Sequence, residues 1–138
     1  MKKLIFICSM LLIVPAILPA QSSDYKVVFD LTSRDTLDQL SVLRWVNEVK
    51  KADPNAMLEV VMYGKGVYMG VKENSSVAAR VEELTKQKNV SFNVCAIAIK
   101  NLKIDQSQLI PGVGTVPDGI KEIVDKQHAG WGYIKVTH

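Results

Sequence analysis

Hydrophobic residues are distributed along the chain in two patterns. Short apolar runs rich in β-branched and aromatic residues are typical of strands buried in a parallel sheet. Longer segments with an apolar residue every three or four positions are typical of helices that cover such a sheet. The strand pattern covers residues 26–31, 57–63, 90–95, 113–116 and 131–136, and the helical pattern covers residues 36–53, 75–88, 96–102 and 117–130. This alternation predicts an α/β fold with a mainly parallel sheet of about five strands and helices on both faces.

Polar residues and prolines indicate where the first and last helices begin. Thr36 and Gln39 form a capping-box pattern, which predicts a helix that begins at Thr36. Pro117 suits the first position of the last helix, and Gly130 suits its end. The pattern at residues 67–71 fits a short strand and a turn of helix equally well.

The N-terminal 20 residues have the composition of a secretory signal. Lys2 and Lys3 provide a basic start, residues 4–18 are apolar, and the small residue Ala20 precedes a polar stretch. This order predicts cleavage after Ala20, export, and a single domain over residues 24–138. The apolar run is shorter than the roughly 20 residues that span a bilayer, so we expect no membrane association after cleavage. A short bacterial-type signal favours the periplasm.

Length and charge limit the kinds of partner that the mature chain can bind. Cleavage would leave 118 of the 138 residues, which suits one domain. Because two lysines are removed with the signal, 15 of the 17 basic residues remain against 14 acidic residues. The sequence has no cluster of lysine and arginine interleaved with aromatic residues, so we expect no nucleic-acid binding.

Cys95 is the residue whose chemistry most needs an explanation. Cys8 lies in the predicted signal, so the mature chain keeps one cysteine and cannot form an intrachain disulfide. Cys95 ends the predicted third strand, and ligands gather at the carboxyl ends of parallel strands. It also precedes a helix, whose free amides favour an anion, so its thiolate is a candidate nucleophile or persulfide carrier. The alternative is a buried cysteine that fills the core.

The other strand ends supply polar residues that would meet Cys95 at the same edge of the sheet. Lys65 is expected to hold an anion or to support the Cys95 thiolate, unless it is simply a solvated surface lysine. Asp30 is expected to orient polar groups in the cleft or to cap the helix that follows it. The candidate ligand-binding residues are Asp30, Thr32, Tyr63, Gly64 and Lys65.

The usual signatures of cofactor and metal binding are missing from the sequence. Gly64-x-Gly66 lacks the third glycine of the dinucleotide pattern, and no phosphate loop occurs. His128 and His138 with one cysteine do not make a structural zinc site, and His128 is expected at a helix C-terminus. We therefore predict no metal and no cofactor. The residues do not decide whether the protein is an enzyme.

Four segments spread over nearly the whole mature chain carry a family resemblance. They are Lys26-Val-Val-Phe-Asp-Leu-Thr-Ser33, Val60-Val-Met-Tyr-Gly-Lys-Gly66, Phe92-x-Val-Cys95 before a helix, and Val116-Pro-Asp-Gly-Ile-Lys-Glu-Ile-Val124 continuing to Gln127-x-x-Gly-Trp-Gly-Tyr-Ile-Lys135. In this order they resemble the DsrE-like (DsrE/DsrF-like) family. The resemblance implies a flavodoxin-like or Rossmann-like sandwich that assembles as a homo-oligomer, often a trimer or a hexamer.

The resemblance also implies a function for Cys95. In relatives that take part in sulfur oxidation or tRNA thiolation, a cysteine at this position accepts sulfane sulfur and passes it on. We therefore expect an exported sulfur carrier that uses Cys95 and exchanges sulfur with a donor or acceptor protein. Relatives often have His where this chain has Tyr63 and Asn where it has Ile97.

Two functions without covalent chemistry remain open from the sequence. One is a module that binds a small ligand in the predicted cleft, and the other is a protein whose role is assembly. Large side chains at helix edges and loops are expected either to form contacts between chains or to cover the sheet edges within one chain. These side chains are Trp45, Tyr68, Met69 and Trp131.

Overall fold

The computed structural model describes residues 24–137. The predicted signal at residues 1–20 and its cleavage site lie outside the described residues, and so does His138. Within residues 24–137, no helix combines the length and the apolar character needed to cross a membrane.

Along the described residues, five strands alternate with four α-helices and two short 3₁₀ helices. The strands are β1 (Lys26–Leu31), β2 (Met57–Met62), β3 (Val90–Cys95), β4 (Gly114–Val116) and β5 (Gly132–Lys135). The α-helices are α1 (Thr36–Ala52), α2 (Ala78–Thr85), α3 (Ala96–Asn101) and α4 (Gly119–His128). The 3₁₀ helices cover Gly64–Gly70 and Gln106–Gln108. The segment that the pattern left open at residues 67–71 therefore belongs mostly to a 3₁₀ helix.

The five strands form one parallel sheet in the order β4-β3-β2-β1-β5. The last strand of the chain therefore pairs with the first, and Asp30 lies opposite Lys135 in this pairing. β5 is an edge strand, and its four residues are all exposed. The parallel α/β sheet that the sequence predicts is confirmed, with flavodoxin-like architecture.

One face of the sheet carries the larger core. From β1 to β4 each strand is added on the same side, so right-handed connections place α1, α2 and α3 on one face. Phe29, Met62 and Phe92 from the strands are at most 1% exposed there, beneath Val46 of α1. The Trp45 ring stacks on Phe29 with 6.4 Å between the ring centroids. Burial of these large side chains supplies most of the hydrophobic stabilisation of the fold.

The opposite face is smaller and more polar, and α4 covers it because the chain returns from β4 to β5 across the whole sheet. Ile123 of α4 packs on a small apolar cluster from the strands. Beneath it, the Glu59 carboxylate is 1% exposed. It accepts a hydrogen bond from Asn93 Nδ2 at 2.7 Å and pairs with Lys126 Nζ at 2.6 Å. Burial lowers the pKa of Lys126, but the hydrogen bonds and charges of Glu59 and Glu122 together outweigh burial, so this pKa lies above its ordinary value.

The helix caps differ from those that the sequence patterns predict. α1 begins at Thr36, as predicted, but its N-cap is Asp35, whose carboxylate accepts from the Leu37 amide at 2.7 Å, and not Thr36. Asp30 does not cap this helix. Pro117 is not the first residue of α4, because the helix begins at Gly119 and Asp118 is its N-cap. In both helices the N-cap is an aspartate whose carboxylate accepts directly from first-turn amides.

The four large side chains that the sequence places at possible chain contacts are packed within the chain. Met69 is fully buried, and Trp45 and Trp131 pack against the two core clusters. The guanidinium of Arg34 lies 4.3 Å from the centroid of the Tyr68 ring. Each of these four residues therefore has a packing partner within the chain.

Candidate functional site

Cys95 lies at the carboxyl end of β3, where the strand passes directly into α3. The residue forms the N-cap of α3 with extended backbone, and no side chain caps the helix there. Cys95 is 5% exposed and is the free cysteine of the described residues. α3 has only six residues, so the effect of its dipole on the thiol is small. The chemistry of Cys95 depends mainly on what surrounds the residue.

A cavity of about 420 Å³ opens beside Cys95. This volume lies within the range of roughly 300–1,000 Å³ that small-molecule sites occupy. The wall is mainly apolar and combines the end of β2, the helix α3 and the start of α4. It is lined by Tyr63, Gly64, Lys65, Cys95, Ile97, Ala98, Asn101, Leu102, Asp118 and Ile120.

Gly119, the first residue of α4, packs directly against two residues of the cavity wall. A Cβ on Gly119 would lie 3.2 Å from the Cβ of Cys95 and 3.2 Å from the Cβ of Tyr63. Such distances are shorter than ordinary van der Waals contact, so glycine is what allows the backbone of α4 to pack directly on both strand ends. The Cys95 thiol is therefore reached from the cavity side and not across α4.

Two side chains that are charged at neutral pH, Asp118 and Lys65, line the cavity. Asp118 uses its carboxylate to cap α4, accepting from the amides of Ile120 at 2.9 Å and Lys121 at 3.2 Å. Lys65 follows Gly64, whose φ of +55° turns the chain away from the end of β2. Within residues 24–137, the Lys65 ammonium has no ion-pair or hydrogen-bond partner. It is therefore the positive charge available to an anion in the cavity.

A second polar group lies beside the cavity, at the carboxyl ends of β1 and β5. Here the Asp30 carboxylate is 4% exposed and accepts hydrogen bonds from three side chains. The hydroxyl of Tyr133 lies at 2.7 Å, the hydroxyl of Tyr63 at 3.2 Å and the ammonium of Lys135 at 2.9 Å. The same ammonium donates to Thr32 Oγ1 at 2.8 Å. We call Asp30, Thr32, Tyr63, Tyr133 and Lys135 the Asp30 cluster.

The carboxylate of this cluster disfavours ionisation of both phenols. Burial, followed by the charge and hydrogen bond of Asp30, raises the pKa of Tyr63 to about 12. The hydrogen bond to Asp30, followed by burial, raises the pKa of Tyr133 to about 12. Both hydroxyls therefore remain protonated donors at neutral pH and fix the Asp30 carboxylate in place.

The structure divides the sequence-predicted site residues into two groups. Tyr63, Gly64 and Lys65 line the cavity with Cys95. Asp30 and Thr32 do not line it and belong to the Asp30 cluster, which reaches the cavity through Tyr63. Sequence reasoning missed the contributions of α3, of the Val116-Pro-Asp-Gly turn and of β5. The turn follows β4, so its place at a carboxyl strand end was the available signal.

The arrangement suits a nucleophile or a small anionic ligand better than a metal. Within residues 24–137, no three side chains of histidine, cysteine, aspartate or glutamate come together as a metal-binding group. The cavity instead offers a thiol, an ammonium and apolar walls. His128 lies in the last turn of α4, as expected.

Comparisons with known proteins agree with this architecture. The structure of MTH1491 from Methanobacterium thermoautotrophicum, a protein of unknown function, is similar to this one, with 32% sequence identity and a TM-score of 0.77. The match covers 81% of this chain and 99% of MTH1491. BT1422 from Bacteroides thetaiotaomicron is 13% identical with a TM-score of 0.68, covering 86% and 100% of the two chains. The ychN protein from E. coli is 18% identical with a TM-score of 0.67, covering 80% and 97%. The latter two likenesses concern the fold alone.

No functionally curated protein gives a significant match. The sequence profile of the DsrE/DsrF-like family matches residues 26–136, which is nearly all of the described chain. The match includes all five strands, Cys95 and every residue of the cavity wall. With the parallel sheet and its relatives of known structure, this establishes that the chain belongs to the DsrE/DsrF-like family.

Proposed function

We propose that this protein is an exported sulfur carrier in which Cys95 holds sulfane sulfur as a persulfide. The observation that carries the proposal is the position of Cys95 in the wall of a cavity of about 420 Å³, with an ammonium that has no partner among the described residues. A persulfide adds one sulfur atom to the thiol, and the cavity supplies space for it. Membership of a family that includes sulfur-relay proteins supports the same conclusion.

The reaction consists of two thiol exchanges. In the first, the Cys95 thiolate attacks the outer sulfur of a donor persulfide and forms a bond to it. The bond between the two donor sulfurs breaks, and the donor leaves as a thiolate. In the second, an acceptor thiolate attacks the outer sulfur carried by Cys95. The bond between the two sulfurs breaks, and Cys95 returns to its thiolate form. Each step transfers one sulfur atom without net oxidation or reduction, so no cofactor enters the reaction.

The other residues of the site support this chemistry without taking part in bond changes. Lys65 supplies a positive charge near the thiolate and the departing anion. Tyr63 forms a wall of the cavity, and its hydroxyl is held by Asp30 at 3.2 Å. Asp30 and Thr32 thus act through Tyr63 and Lys135 and do not touch the sulfur.

Loading with inorganic polysulfide tests the carrier function. The folded protein is expected to gain one sulfur atom by intact mass, and dithiothreitol is expected to remove it. Cys95→Ser is the matched control, since it changes one atom and should gain no sulfur. A thiol that takes up neither polysulfide nor an alkylating reagent until the protein is unfolded would contradict the proposal.

A second candidate function is non-covalent binding of a small anion in the same cavity. The unpaired Lys65 ammonium favours it, because a cation in a mainly apolar wall can be satisfied by a ligand. In this case Cys95→Ser leaves the affinity for the anion unchanged, whereas Lys65→Gln weakens it. Isothermal titration with the two variants separates this function from the carrier function.

Export to the periplasm belongs to the proposal because of the basic start, the apolar run at residues 4–18 and Ala20. Expression of the whole chain in a Gram-negative host is expected to give a periplasmic protein whose intact mass is that of a chain beginning at Gln21. A product that retains Lys2 and Lys3 in the cytoplasm would contradict export.

Assembly as a homo-oligomer, a trimer or a hexamer, is also part of the proposal. Its support comes from exposed apolar side chains on α4 and on the edge strand β5. Ile120 and Val124 lie one turn apart on α4 and are 61% and 42% exposed, and Ile134 of β5 is 37% exposed. Sedimentation equilibrium is expected to show an assembly that Val124→Lys weakens, and a monomer at micromolar concentration would contradict it.

A further inference from the structure

Access to Cys95 is restricted to the cavity. The residue is 5% exposed, and the backbone of α4 at Gly119 lies directly against it. A cysteine on the surface of a folded protein would have to bring its own backbone into a space of about 420 Å³. A small compound meets no such obstacle, since cavities of this size commonly hold one.

The wall of the cavity indicates what such a compound carries. Most of the lining is apolar, with Leu102 and Ala98 from α3 and Ile120 from α4. The Asp118 carboxylate is occupied by two amides of α4. Lys65 is the ionised lining residue that, within residues 24–137, has no partner. A ligand that fits this wall has a short apolar body and one anionic group that reaches the ammonium.

We propose that the sulfur on Cys95 comes from a small organic persulfide that carries a carboxylate, and that Lys65 selects it. This inference rests on the proposed carrier function and names its donor. The Cys95 thiolate attacks the outer sulfur of the donor R–S–SH, the bond between the two donor sulfurs breaks, and R–S⁻ leaves with its electron pair. The products are Cys95–S–SH and a thiolate whose carboxylate remains paired with Lys65.

The test compares two donors of similar size, the persulfides of mercaptopropionate and mercaptoethanol, which differ in a carboxylate against a hydroxyl. The rate of sulfur gain on Cys95 is followed by intact mass in the full mature chain. The carboxylate donor is expected to load faster. Lys65→Gln is expected to slow this donor by about twofold to fivefold, as for an exposed ion pair, and to leave the hydroxyl donor unchanged. Lys72→Gln, at an exposed lysine outside the cavity, is the matched control.

Narrowing the cavity gives an independent arm of the same experiment. Asn101 is exposed at the end of α3 and lines the cavity, so Asn101→Trp is expected to slow both small donors by about tenfold through misplacement of the reacting sulfur. Ile97→Trp, at another exposed lining position, serves the same purpose if the first variant lowers the melting temperature.

Serum albumin persulfidated at its free cysteine serves as the protein donor. If albumin loads Cys95 and the small persulfides do not, the inference is overturned while the carrier function stands. If no donor loads Cys95, the carrier function itself fails. If both small donors load equally fast in the wild type and in Lys65→Gln, Lys65 has no role in selection and the inference is overturned in that part.

Discussion

The Cα of Gly119 packs against Cys95 so closely that a Cβ on the glycine would lie 3.2 Å from the Cβ of the cysteine. The same added atom would lie 3.2 Å from the Cβ of Tyr63 and 3.3 Å from Cγ1 of Val61. These atoms belong to rigid strand ends, so they cannot move aside as the tip of a long side chain can. The start of α4 is therefore fixed by the strands that carry the candidate site.

Gly119→Ala is expected to destabilise the protein by about 1 kcal/mol. Overpacking costs roughly 1–3 kcal/mol, and the better helix propensity of alanine offsets roughly 0.5–1 kcal/mol of this. Chemical denaturation gives the change in the free energy of unfolding. Gly132→Ala is the control, because its nearest contacts would be 3.5 Å and 3.6 Å and it is exposed. Equal stability of the two variants would show that α4 shifts freely.

The Asp118 cap should contribute about 1 kcal/mol to the same helix start. Asp118→Ala removes the acceptor for the amides of Ile120 and Lys121, and loss of an N-cap typically costs about 0.5–2 kcal/mol. Asp118→Asn retains an acceptor oxygen and is expected to stay within about 0.5 kcal/mol of the wild type. Thermal and urea unfolding of both variants measure the effect. A loss of stability as large in the asparagine variant would assign it to charge and not to capping.

Alkaline pH is expected to weaken the fold through the two phenols of the Asp30 cluster. The pKa of Tyr63 and of Tyr133 is about 12 in the folded protein, above the ordinary value of 10. The folded state thus binds more protons than the unfolded state between these values. The stability from both hydroxyls is fully present below pH 10 and is lost as the pH rises toward 12. Urea unfolding midpoints measured from about pH 9 to about pH 12 check this, because that range spans the unfolded and folded pKa values of the two phenols.

Asp30→Asn should lower the pKa of Tyr133 more completely than that of Tyr63. The main cause of the shift is the hydrogen bond to Asp30 for Tyr133 but burial for Tyr63. Phenolate absorbance against pH measures both values, and Tyr63→Phe and Tyr133→Phe assign them. Unchanged titration in Asp30→Asn would mean that the cluster does not form in solution.

Removing Lys126 is expected to destabilise the protein by about 2 kcal/mol. Lys126→Met leaves the Glu59 carboxylate buried with one hydrogen bond from Asn93. Breaking a fully buried pair costs roughly 3–5 kcal/mol, and we expect less because the Lys126 side chain is 26% exposed. Denaturation at neutral pH measures the change.

Two further variants distinguish burial from simple loss of charge at this pair. Lys121→Met breaks an exposed pair with Asp125 and is expected to leave stability nearly unchanged, because solvent screens such pairs. Glu59→Gln combined with Lys126→Met removes the isolated charge and should recover part of the loss. If the double variant is less stable than Lys126→Met, the buried carboxylate is not the source of the cost.

Local patterns in the sequence were sufficient for the strands that build the sheet. The limits of β1 and β3 follow directly from their apolar runs, and Cys95 falls at the predicted strand end. Contacts between residues far apart in the sequence could not be predicted from these local patterns. Lys135 joins Asp30 across 105 positions, and only the sheet order brings the two together. The Asp30 cluster was therefore incomplete in the sequence analysis.

Buried charge was the other feature that the sequence concealed. Glu59 lies in the middle of an apolar run, where the pattern predicts a strand but gives no sign of a partner. Its partners Asn93 and Lys126 come from β3 and α4, and neither is near it in the chain. The packing partners of Trp45 and Trp131 were not predictable either, because their intrachain contacts depend on where the helices lie.

The pairing of β5 with β1 also limits when the sheet can be completed during synthesis of the chain. Among the strands of residues 24–137, β1 is synthesised first, yet its second neighbour β5 is synthesised last. Until residues 132–135 are available, the Asp30 carboxylate lacks both Lys135 and Tyr133, and one edge of β1 has no hydrogen-bonding partner. The edge of β1 that faces β5 is therefore closed only after the last strand of the described residues has been made.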